Sequence, residues 1–123
     1  MQIIAITKFH SRVSSRLDCT QNIDLIYVEN HKISKWEHIH LTAKNPLDKI
    51  NTLKDLGVEV VICGGITEIC LNQLKNDRID VYPWVRGEIQ DVVQRFLKGT
   101  LQKQNGKKPS PSTEKDKGEK ELF

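Results

Sequence analysis

Apolar residues recur along the chain with two different periods and divide it into predicted strands and helices. Runs of apolar, often β-branched residues that alternate with polar ones or stand together indicate strands. Five such runs are predicted as strands: residues 1–7, 23–29, 33–41, 58–63 and 79–82. A turn is predicted at Asn30-His31, and residues 8–22, which contain few apolar side chains, are predicted as a long loop.

Three other segments repeat with the period of about 3.6 residues that is typical of an amphipathic helix. They run from Asn45-Pro46 to Gly57, from Ile66 or Thr67 to about Asn76, and from Gly87 to Gly99. The first has a capping asparagine followed by proline at the first helical position, which is a strong start signal. The buried face of the second helix is expected to comprise Ile66, Ile69, Cys70 and Leu74.

The predicted order β-β-β-α-β-α-β-α indicates an α/β fold with one mixed, mostly parallel, five-stranded sheet. Strands joined by a helix are expected to be parallel, whereas the second and third strands form an antiparallel pair. Ligands of such sheets bind where the carboxyl ends of the strands meet. The loop after the first strand and the turn at Cys63-Gly64-Gly65 are therefore expected at one shared edge.

The segment V-E-V-V-I-C-G-G at residues 58–65 is the strongest candidate for a binding site. Gly64 and Gly65 let the backbone turn sharply and approach a ligand, and the following helix would point free N–H groups at an anion. Cys63 would place a soft sulfur donor there, as a metal–sulfur ligand or a reactive thiol. The alternative is that Cys63 is a small buried hydrophobe that ends the strand.

Composition is that of one small domain. The chain has 123 residues, without the run of roughly 20 apolar residues that a membrane span needs and without a leader pattern, so a cytoplasmic protein is expected. Its three cysteines are an odd number, which favours thiols over a disulfide framework.

The C-terminal segment differs in character from the rest. Residues 102–121 contain no apolar side chain and are predicted to be disordered. From Gly99 onward, six lysines stand against four acidic residues. Charges of mixed sign are typical of a solvated coil, so the net charge of +3 does not predict nucleic-acid binding. The expected organisation is a folded domain over residues 1–101 and a charged tail over 102–123.

Five segments together resemble a known family, because their order and spacing match although no single one is specific. They are R-V-S-S (12–15), L-I-Y-V-E-N (25–30), G-V-E-V-V-I-C-G-G-I (57–66), V-Y-P-W-V-R-G (81–87) and F-L-K-G-T-L (96–101). On these segments the chain resembles the dinitrogenase iron–molybdenum cofactor biosynthesis family, over about residues 1–101.

The resemblance implies a ribonuclease-H-like, three-layer α/β/α fold. It also implies a non-catalytic carrier or accessory protein for an anionic metal–sulfur cofactor, of the iron–sulfur or molybdenum–iron–sulfur type, bound transiently. The expected partners are proteins that assemble or accept that cofactor. An alternative is a protein-interaction or regulatory module of the same fold that has lost cluster binding.

The predicted site combines the glycine turn with the loop after the first strand and a later arginine. Its cofactor-binding residues are Ser14, Ser15, Arg16, Cys19, Cys63, Gly64, Gly65 and Arg86, with Cys63 and Cys19 as metal ligands. Three positions depart from the family pattern: Arg16 stands where many members have histidine, Cys19 where the motif has arginine, and Arg86 where one branch has cysteine. Arg16 and Arg86 are each either a guanidinium that binds the anion through charge or a solvated surface residue.

Other functions are weaker matches to the sequence. A two-metal nuclease of this fold needs a carboxylate in the first strand, and residues 1–7 contain none. A nucleophile at Cys63 would need a base, for which His10 is the loop candidate. His38 and His40 form an H-x-H pair on one strand face, for which only adventitious metal binding is expected. A non-catalytic protein is therefore predicted.

Overall fold

The computed structural model describes residues 1–14, 21–42 and 45–101. Ser15, Arg16 and Cys19 of the predicted site, and the predicted tail at residues 102–123, lie outside the described residues.

Nine elements make up the described chain, six strands and three helices. The strands are β1 (Gln2–Phe9), β2 (Arg12–Val13), β3 (Asn22–Glu29), β4 (Lys32–His40), β5 (Val60–Ile62) and β6 (Asp80–Tyr82). The helices are α1 (Pro46–Asp55), α2 (Glu68–Asn76) and α3 (Ile89–Lys98). All five predicted strands and all three predicted helices are present, with ends that differ by a few residues.

The prediction of one long loop over residues 8–22 is wrong at its start. β1 continues to Phe9, and the chain then turns at His10, where φ is +56°, into the two-residue strand β2. Lys8 pairs with Val13, and Phe9 pairs with Arg12. A strand of two residues is too short to produce an alternating pattern, which is why the sheet has six strands where five were predicted.

The sheet is mixed, as predicted, in the order β4-β3-β1-β5-β6, with β2 paired to β1 beside this path. β5 is parallel to β1 and to β6, whereas β3 is antiparallel to β1 and to β4. Half of the pairings along the path are therefore antiparallel, a larger share than the sequence indicated. The cause is that β3 returns directly beside β1 and brings its hairpin partner β4 with it.

The hairpin between β3 and β4 places β4 at the sheet edge. Asn30 and His31 form the predicted turn, and both have positive φ, +54° and +63°. Two consecutive positive φ angles are the mark of the type I′ turn, whose twist matches that of paired strands. β4 follows with its outer side unpaired by any described strand.

Helices cover both faces of the sheet and confirm the three-layer arrangement. On one face, α1 and α2 pack through buried residues such as Ile50, Leu53 and Leu74. On the other face, α3 packs through Val92 and Val93. Burying an aliphatic side chain of this size contributes about 1.5–3 kcal/mol, so the two clusters together supply most of the stability.

The buried face of α2 differs from the prediction at one position. Cys70 and Leu74 are buried as expected, but Ile69 is 70 % exposed and Leu71 takes its place in the core. Successive residues of a helix point about 100° apart, so a face centred on residues 70, 71 and 74 turns Ile69 outward. The pattern of apolar residues alone did not distinguish the two faces.

The N-terminal cap of α1 offers a test of local stability. The Asn45 side chain accepts hydrogen bonds from the backbone N–H groups of Leu47 (2.9 Å) and Asp48 (3.3 Å). Asn45→Ala removes both bonds and should lower the free energy of unfolding by about 1 kcal/mol in urea denaturation. Asn51→Ala, at an exposed position within the same helix, is the matched control. It should leave stability unchanged or slightly raised, and an equal loss in both variants would contradict the capping role.

Candidate functional site

Backbone hydrogen bonds join the end of β5 to the segment that follows β6. The Cys63 N–H donates to the Tyr82 carbonyl (3.1 Å), and the Val85 N–H donates to the Cys63 carbonyl (2.9 Å). The Trp84 N–H donates to the Gly64 carbonyl (2.8 Å). These bonds extend the pairing of β5 with β6 beyond both strands, so Gly64 and Trp84 lie side by side at the carboxyl edge.

Cys63 lies in the core. The residue is 0 % exposed and belongs, with Cys70, to the apolar cluster between the sheet and helices α1 and α2. Burial, and to a smaller extent the neighbouring Cys70, raises the pKa of the Cys63 thiol to about 12. The thiolate that ligates soft metals is therefore scarcely populated at neutral pH. This geometry favours the core-packing interpretation of Cys63 over the role of metal ligand.

Gly64 and Gly65 form the predicted turn and are buried. The helix that follows them is less available to an anion than the sequence indicated. The Thr67 hydroxyl already accepts a hydrogen bond from the Cys70 N–H (3.3 Å), and Glu68 places a carboxylate in the first turn of α2. Both compete with an external anion for the positive end of the helix dipole.

Thr7 is a member of this edge that the sequence did not single out. It follows Ile6, which pairs with Ile62, so Thr7 lies beside Cys63 where β5 ends, two residues before the end of β1. Thr7 is 1 % exposed, and its Oγ1 has no hydrogen-bond partner among the described residues. A buried hydroxyl without a partner costs free energy. It is also a donor that a bound ligand can use.

Ser14 is the one residue of the predicted loop site that the structure describes. It is buried, and its N–H donates to the Thr7 carbonyl (2.9 Å). The structure therefore brings Ser14 and Thr7 to the same edge as Cys63 and the glycine turn. Ser15, Arg16 and Cys19, which lie outside the described residues, follow directly in the chain.

Arg86 lines a cationic cavity beside the glycine turn. The cavity has a volume of about 370 Å³, and its lining comprises Pro83, Trp84, Val85, Arg86, Arg95, Thr100 and Leu101. Two guanidinium groups contribute to this lining, and none of the described residues in it is acidic. Arg95, which comes from α3, was not predicted. Helical periodicity places it on the polar side of α3, and nothing in the sequence pairs it with Arg86.

A second group of polar residues, also missed by the sequence prediction, lies on the α3 face of the sheet. Asp24 is buried, and its carboxylate accepts hydrogen bonds from Lys8 Nζ (3.2 Å) and Trp36 Nε1 (2.9 Å). His38 Nδ1 lies 2.5 Å from the same carboxylate. A cavity of about 360 Å³ borders this group. The sequence pattern does not indicate a role for Asp24, because this residue stands within an otherwise apolar strand.

The described residues contain no group of three or more His, Cys, Asp or Glu side chains placed to hold a metal ion. Within the same residues, no helix is both long enough and apolar enough to cross a membrane.

The buried thiols provide a direct test of the Cys63 environment. In a Cys19→Ser background, the native protein at pH 8 should show no fast-reacting thiol, because burial holds the pKa of Cys63 at about 12. Titration with a chromogenic disulfide reagent measures this, and urea should then release Cys63 and Cys70, which are both free and buried. Rapid reaction of a thiol in the native protein would contradict the assignment.

The unpartnered hydroxyl of Thr7 predicts a stabilising substitution. Thr7→Val keeps the branched shape and removes the buried polar atom, so the free energy of unfolding should rise by about 1 kcal/mol. Thr52→Val is the control for the same chemical change, because the Thr52 hydroxyl has a partner in the Asp48 carbonyl (3.0 Å). Loss of stability in Thr7→Val would show that the hydroxyl is satisfied in the free protein.

Comparison with known proteins identifies relatives along almost the whole described chain. The family described as dinitrogenase iron-molybdenum cofactor matches residues 1–99. The uncharacterized protein MJ0580 of Methanocaldococcus jannaschii is 27% identical over 105 residues, which cover 81% of this chain and 89% of that protein.

Two solved structures share the fold. The crystal structure of PH0822 has a TM-score of 0.77 and 23% identity, over 85% of this chain and 97% of its own. The apo form of the orange protein (ORP) from Desulfovibrio gigas has a TM-score of 0.72 and 20% identity, over 86% of this chain and 95% of its own. At these identities the two structures establish the fold alone. The family match establishes more, since it spans the sheet and all three helices: the chain belongs to the dinitrogenase iron-molybdenum cofactor family.

Proposed function

We propose that the chain is a non-catalytic carrier or accessory protein that binds an anionic metal–sulfur cofactor at the carboxyl edge of its sheet. The observation that carries the proposal is the cavity lined by Arg86 and Arg95, with no acidic residue among the described residues that line it. Membership in the dinitrogenase iron-molybdenum cofactor family supports the class of ligand.

Charge, rather than thiolate ligation by Cys63, is the mode of binding that fits the described residues. A guanidinium is charged at every physiological pH and forms directional hydrogen bonds with oxygen or sulfide acceptors. Cys63, by contrast, is neutral in the core. A sulfide-rich cluster that already carries its own sulfur ligands can be bound as an anion without a protein thiolate.

The glycine turn and Thr7 extend this interpretation to the neighbouring part of the edge. Gly64 lies beside Trp84, which lines the arginine cavity, through the backbone hydrogen bond of 2.8 Å. Thr7 Oγ1 is a buried donor that the fold leaves without a partner among the described residues. Ser15, Arg16 and Cys19 stay predictions for the loop next to this edge, with Cys19 as the predicted thiolate ligand.

A carrier rather than an enzyme is proposed because the described residues of the edge offer binding groups and no activated nucleophile. The Cys63 thiol has a pKa raised to about 12 by burial and so supplies little thiolate at neutral pH. In this proposal the cofactor is cargo, held transiently, and the partners are the proteins that assemble or accept it.

Anaerobic reconstitution with molybdate and sulfide tests the proposal. Arg86→Gln and Arg95→Gln should each lower the molybdenum retained after desalting on the order of tenfold, and the double variant should retain almost none, because each loses a charge-assisted contact. Elemental analysis and visible absorption measure retention. Arg78→Gln removes the same charge and is the matched control, since Arg78 lies before β6 at the opposite edge of the sheet.

Four outcomes distinguish the alternatives. Retention by Cys63→Ser equal to that of the wild type would support capture by charge, whereas loss in that variant would restore Cys63 as the ligand. Equal retention by the wild type and the double arginine variant would overturn the proposed site. A wild-type protein that retains no molybdenum would leave the protein-interaction module as the better description of this fold.

A further inference from the structure

The backbone of Trp84 has a conformation that residues with side chains rarely adopt. Its φ is +64°, in the left-handed region, where the Cβ atom of an L-residue crowds the following carbonyl oxygen. Four other non-glycine residues among those described have positive φ, and each lies in a hairpin turn or just after a helix: His10, Asn30, His31 and Arg78. Trp84 lies in neither, because it follows β6 in the segment beside the glycine turn. For a residue as bulky as tryptophan this φ is an outlier.

Hydrogen bonds to the end of β5 hold Trp84 in this conformation. Its N–H donates to the Gly64 carbonyl (2.8 Å), and the next N–H, that of Val85, donates to the Cys63 carbonyl (2.9 Å). Glycine has no Cβ atom and would adopt the same φ without crowding. The path of the backbone therefore does not require tryptophan at this position, and its side chain is the feature to explain. Strain of this kind is typical of ligand sites, where the surrounding structure maintains it.

The side chain of Trp84 is partly buried and lines the cavity that contains Arg86 and Arg95. Seven described residues line this cavity, and four of them have apolar side chains: Pro83, Trp84, Val85 and Leu101. The indole ring is the largest of these four side chains. The cavity therefore combines two guanidinium groups with an apolar, aromatic wall.

A lining of this composition discriminates between anions that carry the same charge. The oxygen atoms of an oxyanion are strongly hydrated, and an apolar wall does not replace the hydrogen bonds with water that the anion loses on binding. A sulfide-rich anion is larger and more polarizable, so it loses less hydration and gains dispersion contacts with the ring. An aromatic ring is positive at its edge, which is also where sulfur atoms often approach it. An indole beside two guanidinium groups therefore favours sulfide over oxide.

We propose that Trp84 is the specificity-determining residue of the cavity, and that its indole ring selects sulfide-rich anions over oxyanions of equal charge. The inference rests on the proposed function, since it requires that an anion binds beside Arg86 and Arg95. The two arginines supply affinity for either kind of anion, whereas the ring supplies the preference for sulfur. Glycine at this position would permit the same turn without strain, but it would remove the preference.

Tetrathiomolybdate and molybdate are matched probes for this preference, because both are tetrahedral dianions of molybdenum and differ only in sulfur for oxygen. Anaerobic titration calorimetry of the full-length chain measures both affinities. The wild type and a Cys19→Ser variant, which lacks the thiol predicted as a ligand, should both bind tetrathiomolybdate about tenfold more tightly than molybdate. In the Cys19→Ser background, Trp84→Gly should lose most of this difference, and Trp84→Phe, which keeps an apolar ring, should retain most of it.

Two controls separate selectivity from charge and from backbone strain. Arg86→Gln should weaken the binding of both anions by a similar factor and so keep their ratio, because it removes charge and leaves the ring in place. Arg78→Gly removes a side chain from another residue with positive φ, +62°, which lies before β6 at the opposite edge of the sheet. This variant should bind both anions as its parent does.

The outcomes distinguish a failure of this inference from a failure of the proposed function. Equal affinities for the two anions in the wild type, or an unchanged ratio in Trp84→Gly, would overturn the role of Trp84 and leave the proposed function intact. A preference that is lost in Cys19→Ser would assign the selection to that thiol instead. The absence of binding of either anion would contradict the proposed function itself. If circular dichroism shows that Trp84→Gly is unfolded, Trp84→Asn takes its place, since asparagine tolerates the left-handed region.

Discussion

The parallel pairing of β5 with β1 is the constraint on which the candidate site depends. Three residues from each strand pair and all six are buried: Ile4 with Val60, Ala5 with Val61 and Ile6 with Ile62. Since the strands run in the same direction and Ile6 pairs with Ile62, Thr7 and Cys63 lie side by side where β5 ends, although β1 continues to Phe9. The bonds from residues 84 and 85 to Gly64 and Cys63 then bring the segment after β6 to that edge. Binding groups from distant parts of the chain converge because the core aligns the ends of β5 and β6 beside Thr7 of β1.

The same core also determines which groups at the edge carry charge. On the side of α1 and α2, apolar packing keeps Cys63 neutral and leaves Thr7 Oγ1 without a partner among the described residues. On the side of α3, Arg86 and Arg95 remain at a cavity, where solvation keeps both guanidinium groups ionised. Among the described residues, this edge therefore offers positive charge and hydrogen-bond donors rather than thiolates. This distribution suits an anion that brings its own soft ligands.

Much of the fold could be predicted from the sequence, because its signals are local. The cap at Asn45-Pro46 and the buried run of β5 both indicated their elements directly. The two-residue strand β2 carried no such signal. The site was predictable only in part, since burial and convergence are tertiary properties. The glycine turn could be located from its spacing, whereas the neutral state of Cys63, and the meeting of Arg86 with Arg95, depend on packing between elements remote in sequence.

Chemical-shift mapping with a metal sulfide anion would test the central claim most directly. Tetrathiomolybdate added anaerobically to ¹⁵N-labelled protein should perturb the amides of Gly64, Gly65, Trp84 and Arg86, together with the side-chain N–H groups of Arg95. Cys70, packed in the core cluster, should stay unchanged. Perturbation confined to β4, or spread evenly over the lysines, would contradict a cationic binding edge at the carboxyl ends of β5 and β6.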